Sequence, residues 1–349
     1  MGKDDYYPKE EVPTQMKKSR LLLSCLALSL SLTCAPVFAA APSDTVTIQV
    51  DQSIVPTPPG THLANGQVMV PIRWAAEQLG ARSIQWDEET QTVTIATNEA
   101  YYQKLKLDSF IYNGLQPHSA EREAAMWPLP EKAKSISLPQ FPGRELQLNP
   151  EAPHSGRGIT ITINNTPSLI YSAENIDGHI YVPMDWIEEL FKAEVQYDQA
   201  ANKLTIKALN QAEIEQQIKL IEDALIPDSP QAAMKLWGRG EQTRSAALQY
   251  AALSPELRKQ ADARLRDTFW VSGFSSPWVG AITVEQEQKR SDTAVEYTVS
   301  FPEITSAGEP YTTAKEKFVV EKLAVDGKEG WYITEMLQSS PYGILAEVE

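Results

Sequence analysis

Cysteine is almost absent from this chain of 349 residues. Its two cysteines, Cys25 and Cys34, both lie ahead of residue 39. If that segment is removed, no thiol, no disulfide and no cysteine metal ligand remains. Histidine is also scarce, and the four histidines are His62, His118, His154 and His179. They lack the paired spacing of metal ligands, so we expect no metal and no cofactor.

Signatures of common catalytic sites are also missing. The sequence has no Gly-rich phosphate loop, no nucleophile elbow and no HExxH motif.

Lys and Arg are outnumbered, with 31 against 46 Asp and Glu and a net charge of −15. Such a chain is repelled by nucleic acid and by anionic membrane surfaces, which excludes these partners.

Long apolar runs are missing except near the start. Residues 21–32 are apolar and follow a basic cluster, which is typical of a secretory signal. The run is too short for a membrane span, which needs about 20 residues. A small-x-small pattern predicts cleavage between Ala39 and Ala40, so we expect residues 1–39 to be a signal region and the protein to be exported. The polar residues ahead of Met16 suggest that the signal starts there.

The most informative feature is a sequence that occurs twice. Residues 66–74 read GQVMVPIRW and residues 178–186 read GHIYVPMDW, 112 positions later. Each copy is followed by an aromatic–Asp pair, at 86–87 and at 197–198, and then by a short strand. A repeat is a structural unit that packs on its own copy. This pattern favours a scaffold or binding module.

The order of predicted elements is the same in both copies. Alternating apolar residues predict strands, Pro71 and Pro183 begin short helices, and a hairpin follows. We therefore predict two β-β-α-β-β repeats, residues 40–98 and 158–208, that form one α+β module. Residues 99–157 hold seven prolines and are predicted to be an insert or linker with little regular structure apart from a short helix near residues 121–126.

The C-terminal part, residues 209–349, begins with helices. One is predicted over 212–225, and Ser229-Pro230 and Ser254-Pro255 are typical starts of two more. Strands are predicted over 279–287, 293–301, 312–323 and 330–336. Helices followed by an antiparallel sheet indicate a second α+β domain.

The first copy carries a family pattern at Gly66, Val70, Pro71, Arg73, Leu79, Gly80, Ala81, Trp86 and Asp87. This pattern resembles the copper amine oxidase N-terminal-like family, whose members are often called stalk domains. The second copy has Asp185 where the arginine is expected and lacks the Gly-Ala pair. In amine oxidases the copper and the quinone belong to a separate catalytic domain, which nothing here resembles. The resemblance therefore implies no amine oxidation and no stoichiometric copper.

The C-terminal domain resembles the cone-shaped nuclear transport factor two-like fold. The order of helices and strands carries this resemblance, together with the closing strand 330–336. The fold hosts both enzymes and binding modules, so it implies no particular function. A cone-shaped sheet leaves a cavity, and aromatic walls would suit a small apolar ligand.

Tryptophans are the candidate contacts for a ligand or partner. The six candidates are Trp74, Trp186, Trp237, Trp270, Trp278 and Trp331. Trp74 and Trp186 occupy equivalent places in the two repeat helices and point away from their own apolar stripes. The others, with Tyr250, either line a cavity in the C-terminal domain or pack its core.

Together these features predict a secreted, non-catalytic envelope protein of a Gram-positive-type bacterium. Its expected partner is the cell wall or an extracellular protein or glycan. The alternative is a hydrolase or isomerase that acts on a small substrate in the C-terminal cavity. Its acid and base would come from Asp267, Glu285 and Glu335, provided that they point into that cavity.

Overall fold

The structure is a computed structural model that describes residues 45–136, 158–273, 275–340 and 344–345. The predicted signal region, with Ala39 and Ala40, lies outside the described residues. Within these ranges, strands and helices are mixed along the chain, which confirms the α+β class. No helix of the described ranges is long and apolar enough to cross a membrane.

The two segments that carry the repeated sequence have the same order of elements. The first comprises β1 (Thr47–Val50), β2 (Ser53–Val55), β3 (His62–Ala64), β4 (Gln67–Pro71), α1 (Ile72–Gln78), β5 (Ser83–Asp87) and β6 (Thr92–Ala96). The second begins after the intervening segment and comprises β7 (Ile159–Ile163), β8 (Thr166–Ile170), β9 (Glu174–Ile176), β10 (His179–Pro183), α5 (Met184–Phe191), β11 (Glu194–Asp198) and β12 (Lys203–Lys207). The sequence predicted two strands ahead of each helix and missed β2, β3, β8 and β9. Three of these, β2, β3 and β9, have only three paired residues each, too few for an alternation pattern.

These two segments exchange strands. β1 pairs with β12 and β6 pairs with β7, in both cases parallel, so the first strand of each segment completes the hairpin of the other. At the centre β4 and β10 are antiparallel, with Val70 opposite Val182. The resulting sheets have the orders β11-β12-β1-β2, β5-β6-β7-β8 and β3-β4-β10-β9. Ile48 and Leu204, which face each other across β1 and β12, are fully buried.

Most of residues 99–136 are helical, so the prediction of little regular structure is wrong for them, and only the helix expected near residues 121–126 was predicted. They form α2 (Glu99–Asp108), a π-helix (Ser109–Leu115), α3 (Ala120–Ala125) and α4 (Glu131–Lys134). The first proline of the stretch is Pro117, and the chain ahead of it buries Tyr101, Leu105 and Phe110. The prolines all lie at or after residue 117, so residues 99–116 are free of proline and can form helices. Residues 137–157 lie outside the described ranges.

The C-terminal part runs from helices to a curled antiparallel sheet, as predicted. Its elements are α6 (Gln211–Leu225), α7 (Pro230–Thr243), α8 (Ala246–Ala251), α9 (Pro255–Asp267), β13 (Trp278–Val279), β14 (Thr283–Ser291), β15 (Ala294–Ile304), β16 (Pro310–Val325) and β17 (Lys328–Gln338). Ser229 and Ser254 cap α7 and α9 by accepting hydrogen bonds from Ala232 N and Leu257 N. The sheet has the order β13-β15-β16-β17, and β14 pairs with β15.

Helix α2 and the π-helix pack on this C-terminal part. Helix α2 lies against α6, and the π-helix contacts α7 and α8. Ser109 donates from Oγ to the carbonyl of Trp270 at 2.6 Å, and Ser245 Oγ donates to the carbonyl of Ser109 at 2.9 Å. The part of the predicted linker that forms α2 and the π-helix is therefore packed in the interior.

Candidate functional site

The six candidate tryptophans lie in separate environments. Trp237 and Trp270 are buried, with 1% and 3% of their surface exposed. Three others, Trp74, Trp186 and Trp331, are partly buried against the core. Trp278 has the largest exposed fraction of the six, 37%. The structure thus leaves Trp278 as the tryptophan best placed to meet a ligand.

An internal side chain already occupies the aromatic faces of Tyr250 and Trp270. Lys106, from α2, places Nζ 4.4 Å from the ring centre of Tyr250 and 5.0 Å from that of Trp270. It also donates to Glu222 Oε1 at 2.7 Å, and burial lowers the pKa of Lys106. A cation over an aromatic face is a stabilising contact. Tyr250 and Trp270 therefore belong to the packed core, because Lys106 occupies the ring faces that a ligand would have to contact.

Trp278 lines a groove of about 580 Å³, which we call the Trp278 groove. Its walls come from residues 112–126, 242–244 and 278–281, together with Ile304. The volume lies within the range of roughly 300–1,000 Å³ that is usual for ligand sites. Trp278, Met126 and Ile304 contribute apolar groups to its lining, while Arg122, Arg244 and His118 contribute polar ones.

Gln242 holds the three walls of the Trp278 groove together. This buried side chain donates from Nε2 to the carbonyls of Ala125 and Gly280, both at 3.0 Å. Its Oε1 accepts from the backbone N–H of Trp127 at 2.8 Å. A buried amide with partners on both of its ends fixes the geometry around it. The shape of the groove is therefore fixed by hydrogen bonds within the fold.

The two arginines of the groove are anchored to backbone carbonyls. Arg244 follows α7 in a left-handed conformation, with φ 58°, and donates from Nη2 to the carbonyls of Ser275 and Pro277 at 2.5 and 3.0 Å. Arg122 donates from Nη2 to the carbonyl of Gln242 at 3.2 Å. These contacts orient both guanidinium groups without neutralising their charge.

The groove is cationic in an acidic protein. Its lining contains two arginines and His118, and no Asp or Glu. Burial, and then the charge of Arg122, lower the pKa of Arg244. Burial, and then the same charge, lower the pKa of His118, whose Nε2 has no hydrogen-bond partner within the described ranges. The local charge therefore differs in sign from that of the chain.

The carboxylate beside the groove is already paired. Glu123 accepts from Arg239 Nη2 at 2.8 Å and from Nη1 at 2.9 Å. This bidentate pair holds the pKa of Glu123 at about 2, so the carboxylate stays ionised. Glu123 also accepts from the backbone N–H of His118 at 2.9 Å. It balances the buried Arg239 and does not line the groove.

The residues proposed as the acid and base of an enzyme are not brought together. Asp267, Glu285 and Glu335 are all exposed. Glu285 pairs with Lys315 at 2.7 Å, and Glu335 lies 3.7 Å from Arg290 Nη1. The acid–base pair that the enzyme alternative needed inside a cavity is therefore not formed by these three side chains.

A buried cluster of carboxylates was missed by the sequence analysis. Glu241, Glu316 and Glu303 are all at most 6% exposed in the C-terminal part. Glu316 accepts from Trp237 Nε1 at 2.8 Å and from the backbone N–H of Ser340 at 3.2 Å. A signal was present, because Glu241 lies one helical turn after Trp237 and Glu316 occupies an inward position of its strand. None of the three lines the Trp278 groove.

A larger groove of about 1100 Å³ lies between α2, α5, β11, β12 and α6. Its lining holds three lysines and six Asp or Glu residues, and each lysine is paired with a carboxylate. Lys104 pairs with Asp108 at 2.5 Å, Lys192 with Glu189 at 3.0 Å and Lys207 with Glu194 at 3.3 Å. None of the six candidate tryptophans is in its lining, so it is a weaker candidate for a binding site.

The described histidines lie in different parts of the fold. His62, in β3, contacts Glu174 Oε2 at 3.0 Å, while His179 starts β10 and His118 lines the Trp278 groove. His154 lies outside the described residues. Across the described ranges, no group of three or more His, Cys, Asp and Glu side chains could hold a metal ion.

Comparison with known proteins supports the resemblance of the first segment. Residues 49–113 match the family model of the copper amine oxidase N-terminal domain. The match runs past the predicted boundary at residue 98, through α2 and into the π-helix. It covers less than half of the chain.

Other comparisons give less. No curated protein matches this sequence. Among solved structures, the chain is similar to a SEC-C motif containing protein from Psychrobacter arcticus, at 12% identity and a TM-score of 0.27. That similarity covers 34% of this chain and 68% of the other. A TM-score this low supports neither a shared fold nor a shared function.

Proposed function

We propose that this protein is an exported, non-catalytic binding protein of a Gram-positive-type cell envelope, and that the Trp278 groove is its ligand site. Residues 40–98 and 158–208 would be two stalk-type repeats that form its rigid support. Residues 209–349 would be a domain of the nuclear transport factor two-like class that carries most of the groove. The secretory signal pattern before residue 40 motivates the export part of the proposal.

The duplication rests on sequence and pairing together. The repeated motif places Val70 and Val182 at equivalent positions, and these two residues are direct partners across β4 and β10. The parallel pairs β1–β12 and β6–β7 are also equivalent to each other. A pair of similar units related in this way is what a duplicated scaffold requires.

The observation that carries the binding role is the exposed Trp278 in a groove with a fixed polar framework. An aromatic ring that is not buried offers a large contact area at low entropic cost. Gln242 and Arg244 hold the opposite walls in place, so little has to be ordered on binding. A ring beside hydrogen-bonding groups suits a sugar, which presents both C–H faces and hydroxyls.

Cell wall glycan is therefore the preferred partner, ahead of an extracellular protein or a small apolar ligand. The enzyme alternative has less support, since its three carboxylates are exposed and separate. No amine oxidation and no copper are expected, because the family match covers only a region outside any catalytic domain of amine oxidases.

The test is a sedimentation assay of the mature chain, residues 40–349, with isolated cell walls. Trp278→Ala is expected to weaken wall binding about tenfold or more, the usual effect of truncating a central aromatic contact. Tyr311→Ala is the matched control, because Tyr311 is 71% exposed and lies outside the groove. Its binding should equal that of the unchanged chain.

Circular dichroism checks that both variants fold. The proposal is abandoned if the unchanged chain does not sediment with walls. Equal losses in the Trp278 and Tyr311 variants would instead place the ligand away from the groove.

A further inference from the structure

We infer that the Trp278 groove binds an oxyanion, a carboxylate or phosphate group of its ligand, between Arg122, Arg244 and His118. This inference rests on the proposal that the groove is the ligand site, and it adds the chemical class of the ligand. Trp278 and the other apolar residues of the lining then contact the uncharged part of the same molecule.

The positive charge of the Trp278 groove favours an anionic ligand. The chain carries 46 acidic and 31 basic residues, yet the lining of this groove contains two arginines and His118 and no Asp or Glu. Two guanidinium groups that lie together in a partly desolvated site repel each other, and Arg122 indeed disfavours the charged form of Arg244. A bound anion removes that repulsion.

The second argument is the absence of an internal counter-ion. Within the described residues, neither Arg122 nor Arg244 forms an ion pair, and their hydrogen bonds from Nη2 go to uncharged carbonyls. Glu123, the carboxylate next to His118, is engaged by both terminal nitrogens of Arg239. The positive charge of the groove is therefore uncompensated by its neighbours.

The third argument is the available donor geometry. An arginine presents donors in a planar fork that matches the two oxygens of a carboxylate or phosphate. Both guanidinium groups are held from one nitrogen by backbone carbonyls, so they are oriented before any ligand arrives. His118 lines the same groove, and an anion bound there would favour its protonated form, in which Nε2 carries a proton and can donate.

The experiment titrates the mature chain with inorganic phosphate and, separately, with acetate. The ring proton signals of His118, assigned by their loss in His118→Gln, should shift in a saturable way with at least one of these anions. Arg122→Gln and Arg244→Gln are each expected to weaken binding about tenfold or more, the scale of a lost charge-assisted hydrogen bond. Arg82→Gln, an exposed arginine outside the groove, should leave binding unchanged.

Arg122 is exposed, so its variant keeps the inference testable if Arg244→Gln does not fold. No saturable shift with either anion overturns the inference, and so does an equal effect of the Arg82 and Arg122 variants. Wall sedimentation separates this failure from that of the proposed function. If wall binding depends on Trp278 but on neither arginine, the proposed binding role stands and the inference of an oxyanion site is wrong.

Two sources of the oxyanion are distinguished with treated walls. Mild acid removes phosphodiester polymers from the wall and leaves the carboxylates of its peptides. If the bound group in the wall is a phosphate, the part of wall binding that depends on the arginines disappears after this treatment. If the bound group is a carboxylate, that part of the binding remains. Either result supports an oxyanion, and arginine-independent binding to both preparations contradicts it.

Discussion

Glu241 lies 5% exposed on α7, beside Glu316 and Glu303. Glu316 receives hydrogen bonds from Trp237 and Ser340, whereas Glu241 Oε1 has no hydrogen-bond partner within the described residues. Burial, and then the negative charges of Glu316 and Glu303, raise the pKa of Glu241 well above 4.5. An ionised carboxylate in such a place is costly, so the fold favours its neutral form.

This arrangement makes stability depend on pH. Below about 4.5, the ordinary pKa, Glu241 is protonated both folded and unfolded and costs nothing. As pH rises, the unfolded chain releases this proton first, so the free energy of unfolding falls until the folded pKa is reached. Glu241→Gln removes the contribution of Glu241 to this dependence and is expected to stabilise the protein by on the order of 1–2 kcal/mol at neutral pH. Glu316 and Glu303, whose pKa values are also raised by burial, keep their contributions.

Urea unfolding of both proteins from acidic to neutral pH measures this effect. The difference between Glu241→Gln and the unchanged chain should grow with pH. Glu285→Gln is the control, because Glu285 is exposed and paired with Lys315. A constant difference across the pH range would show that Glu241 ionises normally.

Lys106 shows what the sequence could not predict at this scale. The aromatic character of Tyr250 and Trp270 was evident, and a ligand-lined cavity was one interpretation of it. Their actual neighbour is a lysine 144 positions before Tyr250. No local pattern connects residues so far apart, so core packing and ligand binding could not be separated before the fold was known.

At the scale of elements, α7 carries glycines inside a helix. Gly238 and Gly240 lie within α7, although glycine in a helix interior is unfavourable. The helix continues to Thr243, and Gly238 faces the ring of Trp127, from the loop after α3. Its missing side chain is a packing requirement, because a Cβ there would lie 2.3 Å from Trp127 Cε3.

Gly238→Ala should therefore be destabilising. Alanine gains up to about 1 kcal/mol of helix propensity, but overpacking against Trp127 and Ile282 costs about 1–3 kcal/mol. The displaced Trp127 backbone would also strain its hydrogen bond to Gln242, which holds the walls of the Trp278 groove. We expect a net loss in the free energy of unfolding and weaker wall binding.

Urea unfolding and the wall assay measure the two effects. Lys235→Ala, on the exposed face of the same helix, is the control and should change stability by no more than about 0.5 kcal/mol. An increase in stability on Gly238→Ala would mean that Trp127 moves aside without cost.

At the scale of the whole molecule, local signals predicted elements but not their partners. Proline before each repeat helix, serine caps at Ser229 and Ser254, and alternating strands were readable because each depends on residues within one turn or one strand. The pairing of β1 with β12 joins residues 156 positions apart, Thr47 with Lys203. Of the candidate site, Trp278 was predicted, but Arg122, Arg244 and Gln242 became relevant only through contacts between distant segments.

This exchange of strands has a consequence for unfolding. The first segment cannot complete its sheets without β12 and β7, and the helices after it pack on α6, α7 and α8. The two repeat segments and the C-terminal part should therefore unfold in one cooperative transition, although the sequence suggested separate modules. Leu204→Ala, which leaves a cavity opposite Ile48, should lower the free energy of unfolding by about 2–5 kcal/mol.

Far-ultraviolet circular dichroism and tryptophan fluorescence measure the same urea titration. Trp74, Trp86 and Trp186 lie in the repeat segments, and Trp237 and Trp270 lie in the C-terminal part, so tryptophan fluorescence follows both regions. A single transition that coincides in both probes and moves as a whole in Leu204→Ala indicates that the two regions unfold together. Lys203→Ala, whose side chain is only partly buried in the same strand, is the control for a change in strand propensity alone. Two transitions, with only the first moved by Leu204→Ala, would mean that the strand-exchanged sheets and the C-terminal part are energetically independent.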